Sequence, residues 1–263
     1  MRFRALGRTI RVATNDEGIT PALLSWLPPV REECSDGPLD HDLLVEIDRR
    51  SPDFHGRLTA DGRHSVASSA EHALLASLEY FIRTRCAAQA GAAVFVHAGA
   101  VSVEGRAILI PGHSLSGKST LVRAFLAAGC TYYSDELAIF DEQGLLWPYP
   151  RMLHVRHDDP DHPERVPPAA LARAVATAPS SVHTILLTRF ETGALWSPRQ
   201  ASAGTGMLHL LEHALALSEA PAARLKTLRR VVESATILEG PRGEAEDLVA
   251  DLMGSITENC SRA

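Results

Sequence analysis

The sequence predicts an α/β protein with a mixed, partly antiparallel sheet and a small β-rich lobe ahead of it. Three observations carry that expectation. Gly112-His113-Ser114-Leu115-Ser116-Gly117-Lys118-Ser119-Thr120 satisfies G-x-x-x-x-G-K-[ST], the P-loop pattern, between an apolar run (Ile108-Leu109-Ile110) and a helical start (Leu121 to Leu126). Val101-Ser102-Val103 is set to pair with Ala107 to Ile110 across Glu104-Gly105-Arg106. The strand that enters the motif is then the second arm of a hairpin, not a member of a purely parallel βαβ sheet. Finally, residues 1–67 hold short β-like runs punctuated by Pro28-Pro29, Gly37-Pro38, Ser51-Pro52 and Asp61-Gly62.

In chain order, the lobe carries strands at Thr9 to Val12, Leu43 to Ile47 and Arg57 to Thr59. Ser68-Ser69-Ala70-Glu71 then reads as a capping box. Leu74, Leu75, Leu78, Phe81 and Ile82 hold helical spacing as far as Gly91, which places a boundary between an N-terminal lobe with its linking helix, 1–90, and the domain that carries the P-loop, 91–263. Val94-Phe95-Val96 reads as a buried strand ending at His97. After the motif helix and Gly129, a strand starts at Thr131-Tyr132-Tyr133 and continues through Ser134-Asp135-Glu136 into Leu137 to Phe140. Tyr132 and Tyr133 read as strand packing. Trp147 to Arg151 is expected extended because of Pro148 and Pro150, and His157 to Pro168 reads as a proline-rich charged loop. A helix from about Ala169, a strand at Val182 to Leu187, helices at Met207 to Leu217 and Ala222 to Val232, a strand at Thr236 to Leu238 and a helix at Glu244 to Met253 complete the pattern.

With 263 residues, 45% of them hydrophobic, the chain can bury a sizeable core without staples. A formal net charge of -6 and the absence of any Lys/Arg run argue against a nucleic-acid or anionic-membrane partner, leaving small molecules or proteins. Cys34, Cys86, Cys130 and Cys260 form no C-x-x-C, and neither a leader-like segment nor an apolar run long enough for a membrane span is seen; the expectation is a soluble cytoplasmic protein. A homo-oligomer stays open.

The chemistry follows from the motif. Glycines at 112 and 117 let backbone N–H groups turn inward on a triphosphate, the helix N-terminus adds positive potential, Lys118 can reach the β and γ phosphates, and Ser119 can ligate Mg²⁺. Residues 112–120 are thus the expected nucleotide cradle. Phosphoryl transfer also needs a group that takes the proton of an attacking hydroxyl. Asp135-Glu136 interrupts an apolar strand where a Walker B acid would sit, and His97 closes the preceding strand.

Over roughly residues 92–142 this order of His, antiparallel hairpin, P-loop and Gly-x-x-x-x-Ser-Asp-Glu resembles the catalytic domain of HPr kinase/phosphorylase and the related ATP fold of phosphoenolpyruvate carboxykinase. The resemblance implies an ATP- and Mg²⁺-dependent phosphotransferase acting on a hydroxyl of a peptide, protein or small molecule. Residue by residue it implies Lys118 on the phosphates, Ser119 on Mg²⁺, Asp135 as base, Glu136 as metal-associated acid and His97 as the group that tunes Asp135. This chain has Lys118-Ser119-Thr120 where the family usually has Lys-Ser-Glu, Glu136 for the second Asp, and no Glu-x-Arg-Gly-x-Gly signature. The implication therefore covers ATP-dependent transfer and not the HPr substrate or the phosphorylase reaction. Arg151 and Arg156 are candidate grips on substrate or transferred phosphate, and Arg189 has equal claims as a solvated arginine or a ligand.

Two other functional readings stay open from the residues: a nucleotide-binding regulator or scaffold without transfer, and a simple NTPase. The hairpin disfavours the last. His209-Leu210-Leu211-Glu212-His213 matches H-x-x-E-H with both imidazoles on one helical face. The P-loop already accounts for the chain as a nucleotide protein, and two histidines on a partly exposed amphipathic helix is the default reading.

Overall fold

A computed structural model describes residues 1–50, 53–113, 116–155 and 164–260, with side chains as far as 254. The chain divides into two compact units, Met1–Ala90 and Gly91–Ala263. Among the described residues no helix is long and apolar enough to cross a membrane.

The first unit is a six-stranded sheet with two helices. Strands β1 (Arg2–Ala5), β2 (Arg8–Thr14), β3 (Glu32–Glu33), β4 (His41–Ile47), β5 (Gly56–Ala60) and β6 (His64–Ser68) lie in the order β3-β1-β2-β4-β5-β6. Only β2 and β4 pair in parallel, with helix α1 (Thr20–Trp26) in the connection between them. Alternation sets the buried face: Leu43, Val45 and Ile47 are buried while Leu44 and Glu46 are not. Helix α2 (Glu71–Ala88) packs on β5 and β6 through Leu74, Leu75 and Leu78. The expected capping box does not form. Ser68 is the last residue of β6, and its hydroxyl accepts from the Ala70 N–H at 3.1 Å, so the helix starts two residues later behind Ala70, which has no side chain to cap it.

The second unit is built on a seven-stranded sheet. Its strands are β7 (Val94–Val96), β8 (Ala98–Val103), β9 (Arg106–Pro111), β10 (Thr131–Ser134), β11 (Ala138–Phe140), β12 (Leu146–Trp147), β13 (Leu153–Val155), β14 (Glu164–Val166), β15 (Ala174–Val175), β16 (Val182–Phe190), β17 (Arg199–Gln200) and β18 (Thr236–Arg242). Its helices are α3 (Lys118–Ala127), α4 (Pro168–Leu171), α5 (Ala203–His213), α6 (Pro221–Ser234) and α7 (Ala245–Cys260). The main sheet runs β15-β10-β8-β9-β16-β18-β17; β12-β11-β7 form a second sheet and β13-β14 a hairpin.

Strand β9, which enters the motif, is antiparallel to β8 with Val101 opposite Ile108, and parallel to β16 on its other side. The β8–β9 turn places Glu104 and Gly105 at φ 49° and 76°, the twist-matched turn of a two-residue hairpin. Both faces of the sheet are covered, and the period of two sorts the side chains of β9. Ile108 and Ile110 face α3 and α7 (Val122, Phe125, Leu248, Val249), whereas Ala107 and Leu109 face α5 and α6 (Leu210, Leu228, Val231).

Three expectations are corrected here. The segment Thr131 to Phe140 is not one strand: the Ser134 hydroxyl accepts the Leu137 N–H at 3.1 Å and the chain leaves the main sheet for the second one. Trp147 to Arg151 is not extended throughout, since the Arg151 N–H bonds the Tyr149 carbonyl at 2.8 Å in a three-residue turn about Pro150. The expected loop His157 to Pro168 contains a strand, β14, paired antiparallel with β13; residues 157–163 lie outside the described residues.

Candidate active site

The motif loop leaves β9 at Pro111 and ends at Gly117, which caps α3 in the left-handed region at φ 85°. Ser114 and Leu115 lie outside the described residues, as does Arg156. A Cβ at Gly112 would lie 2.7 Å from the Ser116 hydroxyl, so a side chain there would require that hydroxyl to turn away. Leu121, Val122 and Phe125 anchor α3 in the core and fix the direction of its first turn.

Lys118 is 7% exposed, and its ammonium donates to the His113 carbonyl at 2.6 Å. Burial lowers its pKa, and the nearby Glu136 and Asp135 act in the opposite sense. Asp135 sits at the exit of β10, 5% exposed, and lines the same pocket as Ser119. Its Oδ1 is buried with no hydrogen-bond partner among the described residues. Burial pushes this carboxyl up to about 7; Ser119, Arg151 and Lys118 oppose the shift and Glu136 adds to it.

The neighbouring carboxylate has different partners. Glu136 Oε1 is 3.2 Å from His97 Nε2, and Oε2 is 3.7 Å from Arg151 Nη1. His97 itself is held at both backbone groups, its N–H on the His213 carbonyl at 2.8 Å and its carbonyl accepting from Gly112 at 3.5 Å. The expectation that His97 tunes Asp135 is therefore changed in its partner: the imidazole rests on Glu136. Arg151, 7% exposed, has Nη2 3.3 Å from His154 Nε2, and its carbonyl receives the Tyr132 hydroxyl at 3.1 Å.

Lys118, Ser119, Asp135, Glu136, His97 and Arg151 line one pocket of about 240 Å³, to which Gly117 and Thr120 also contribute. The first half of the loop faces elsewhere: Gly112, His113 and Ser116 line a second cavity of about 610 Å³ against α5. Arg189 belongs to that second cavity, with its side chain 81% exposed and 3.5 Å from Glu191. A larger cavity of about 850 Å³ lies in the first unit, where two of its three arginines are engaged, Arg49 with Asp16 and Arg50 with Asp48 at 2.9 Å.

Sequence reasoning missed His154 and Arg123 in the pocket wall, and it missed Arg242. Arg242 ends β18 only 3% exposed, and its guanidinium donates to the Gly117 carbonyl at 3.1 Å and the Gly243 carbonyl at 2.9 Å. No local signal marks it, because its partner is 125 residues away.

A hard divalent cation takes oxygen ligands, and the Ser119 hydroxyl and the Glu136 carboxylate on one small pocket fit that need. The free N–H groups of the first turn of α3 and the Lys118 ammonium fit an anion such as a phosphate.

No protein-family model matches the chain, and no curated protein matches it. Among solved structures it is similar to the Hpr(Ser) kinase/phosphatase from Coxiella burnetii, at 15% identity over 64% of this chain and 98% of that chain, with a TM-score of 0.39. A likeness of that size carries no argument about chemistry, which has to come from the residues themselves.

Proposed function

We propose that the protein is an ATP- and Mg²⁺-dependent phosphotransferase whose acceptor is a hydroxyl, in the manner of an HPr-kinase-like P-loop fold. One observation carries the reading: a buried carboxyl, Asp135, which burial pushes up to about 7, lies in the same small pocket as the motif residues Lys118 and Ser119. A protein that only bound a nucleotide would need the cradle and not the base.

In this reading Lys118 exchanges the His113 carbonyl for the β and γ phosphates. Ser119 and Glu136 would supply oxygen donors for Mg²⁺, which would neutralise charge on the phosphates when bound. Asp135 takes the proton of the attacking hydroxyl, and its raised pKa matches that task. His97 and Arg151 hold Glu136 from two sides, and Arg151 has guanidinium surface on the pocket for substrate or transferred phosphate.

The test is incubation of wild type, Lys118→Ala and Asp135→Asn with γ-labelled ATP, Mg²⁺ and host extract. Asp135→Asn should retain ATP and lose roughly 10²- to 10⁴-fold in transfer. Full transfer by Asp135→Asn would end the base assignment, and label released only as free phosphate would favour a simple NTPase.

A further inference from the structure

The H-x-x-E-H segment of α5 is not absorbed by the phosphotransfer reading. His209 and His213 stand one turn apart on one helical face with Glu212 beside them. One donor atom from each of the three lies within 4.8 Å of the others, and His209 Nδ1 is 3.9 Å from Glu212 Oε2. His213 is buried, and the ring of His113, delivered by the motif loop, meets it edge-on with centroids 4.4 Å apart. All four residues line the 610 Å³ cavity.

An ordinary helix-surface ion pair would need only His209 and Glu212, and would be worth a few tenths of a kcal/mol. It does not account for the buried His213, whose donor atom lies within 4.8 Å of both, or for the ring of His113 packed against His213 from a loop about a hundred residues away in sequence. We propose that His209, Glu212 and His213, with His113 as fourth donor, form a site for a divalent transition-metal ion of the zinc class. Imidazole nitrogens with one carboxylate suit Zn²⁺, Co²⁺ or Ni²⁺ rather than Mg²⁺, which prefers oxygen.

Metal–nitrogen bonds of about 2.0–2.1 Å in a tetrahedron put ligand atoms about 3.4 Å apart, so the donors must close by about an ångström. His209 and Glu212 have room to do so, with side chains 39% and 60% exposed. The cavity's two arginines do not oppose the ion, because Arg199 is paired with Glu239 at 2.7 Å and Arg189 with Glu191 at 3.5 Å. The ion would tie the loop to α5, and because the His113 carbonyl also holds the Lys118 ammonium, occupancy would bear on where Lys118 rests. The site is a clamp and not a peptidase centre, since Glu212 is a ligand and the cavity's Glu239 is paired with Arg199.

The test needs no nucleotide and does not depend on the phosphotransfer reading. Tag-free protein stripped with chelator is titrated with Co²⁺ and followed by visible absorption, then with Zn²⁺. One equivalent of Co²⁺ should bind with a tetrahedral nitrogen/oxygen spectrum that Zn²⁺ bleaches. His209→Ala and Glu212→Gln should each weaken binding about tenfold or more. Both positions are partly exposed, so these variants carry the test even if His213→Ala does not fold. No bound metal in the wild type, unchanged affinity in His209→Ala, or a thiolate charge-transfer band would overturn the site. An unchanged spectrum in His113→Ala would overturn the fourth donor.

Discussion

His97 Nε2 lies 3.2 Å from Glu136 Oε1, so the imidazole delivered to the pocket by the end of β7 rests on the second of two adjacent carboxylates, while the first lies buried in the pocket that Ser119 also lines. Adjacent acids thereby acquire separate environments. Asp135 is buried and partly orphaned; Glu136, its side chain 32% exposed, is held between an imidazole and a guanidinium. Environments that push two carboxylates apart are the usual basis for giving them different tasks.

From that pairing, His97→Gln and Glu136→Gln should be strongly coupled. In a double-mutant cycle on phosphoryl transfer, residues in contact depart from additivity by about 0.5–3 kcal/mol. The His97→Gln protein should also need more Mg²⁺ for half-maximal transfer, because a loosened Glu136 holds the metal less well. Strict additivity, with an unchanged Mg²⁺ requirement, would detach His97 from the metal-associated acid.

Lys118→Ala should separate binding from stability. The ammonium is buried with one carbonyl partner, so its removal costs the fold little and relieves a desolvated charge. Loss of charge-assisted hydrogen bonds worth about 1.5–3 kcal/mol should weaken Mg-ATP binding roughly 10- to 150-fold. Calorimetric titration beside a thermal melt checks both halves. Unchanged affinity would remove the nucleotide from this loop.

How much of this could be read from the sequence depends on whether a feature is local. The motif, the hairpin before it and the alternation of β9 are set by neighbours within a few residues, so they are legible, and the expected antiparallel pairing of Val101 with Ile108 is found. The switch of sheets at Ser134 is not, because a side-chain hydroxyl that captures two N–H groups looks in sequence like a polar residue within a strand. The capping box at Ser68 fails for a similar reason: β6 keeps that residue in its ladder. Helix α5 begins at Ala203 rather than Met207, since Ser202, whose hydroxyl accepts the Thr205 N–H at 3.1 Å, is the effective cap for a glycine-containing first turn. The identity of the pocket acids was legible, but which of them His97 touches was not, since one residue of offset in a bulged segment decides it.

Asp135 should also leave a signature in the pH dependence of stability. Its folded pKa, about 7, lies above the ordinary 3.8, so between those values the folded state binds more protons than the unfolded state. Stability from this group is present at low pH and declines as pH rises through the window, by at most about 1.4 kcal/mol per pH unit. Wild type minus Asp135→Asn, compared by denaturant melts from pH 4 to 8, should show that slope. A difference curve flat in pH would mean that Asp135 is solvated and ionised in the folded protein.

The last prediction concerns Gly117 and Arg242, which the chain brings together from 125 residues apart. Gly117 has φ 85°, and a Cβ there would lie 2.4 Å from Arg242 Nη2. Gly117→Ala therefore meets two penalties: about 1–2 kcal/mol for a left-handed alanine, and displacement of a guanidinium whose hydrogen bonds to Gly117 and Gly243 hold the loop against the end of β18. Burial already lowers the Arg242 pKa, so the charge is held there at a cost and has little slack to move. Arg242→Met keeps the length of the stem and removes both the charge and the clash, but it frees the Gly117 carbonyl and should loosen the loop. Each single variant should bind ATP more weakly than wild type. The double variant Gly117→Ala/Arg242→Met should be destabilised by less than the sum of the two, because the steric part of the first penalty disappears with the guanidinium while the backbone strain remains. Denaturant unfolding of the four proteins measures this directly. A sum that is simply additive would mean that the two side chains do not meet in solution, and that the loop is set by its own backbone alone.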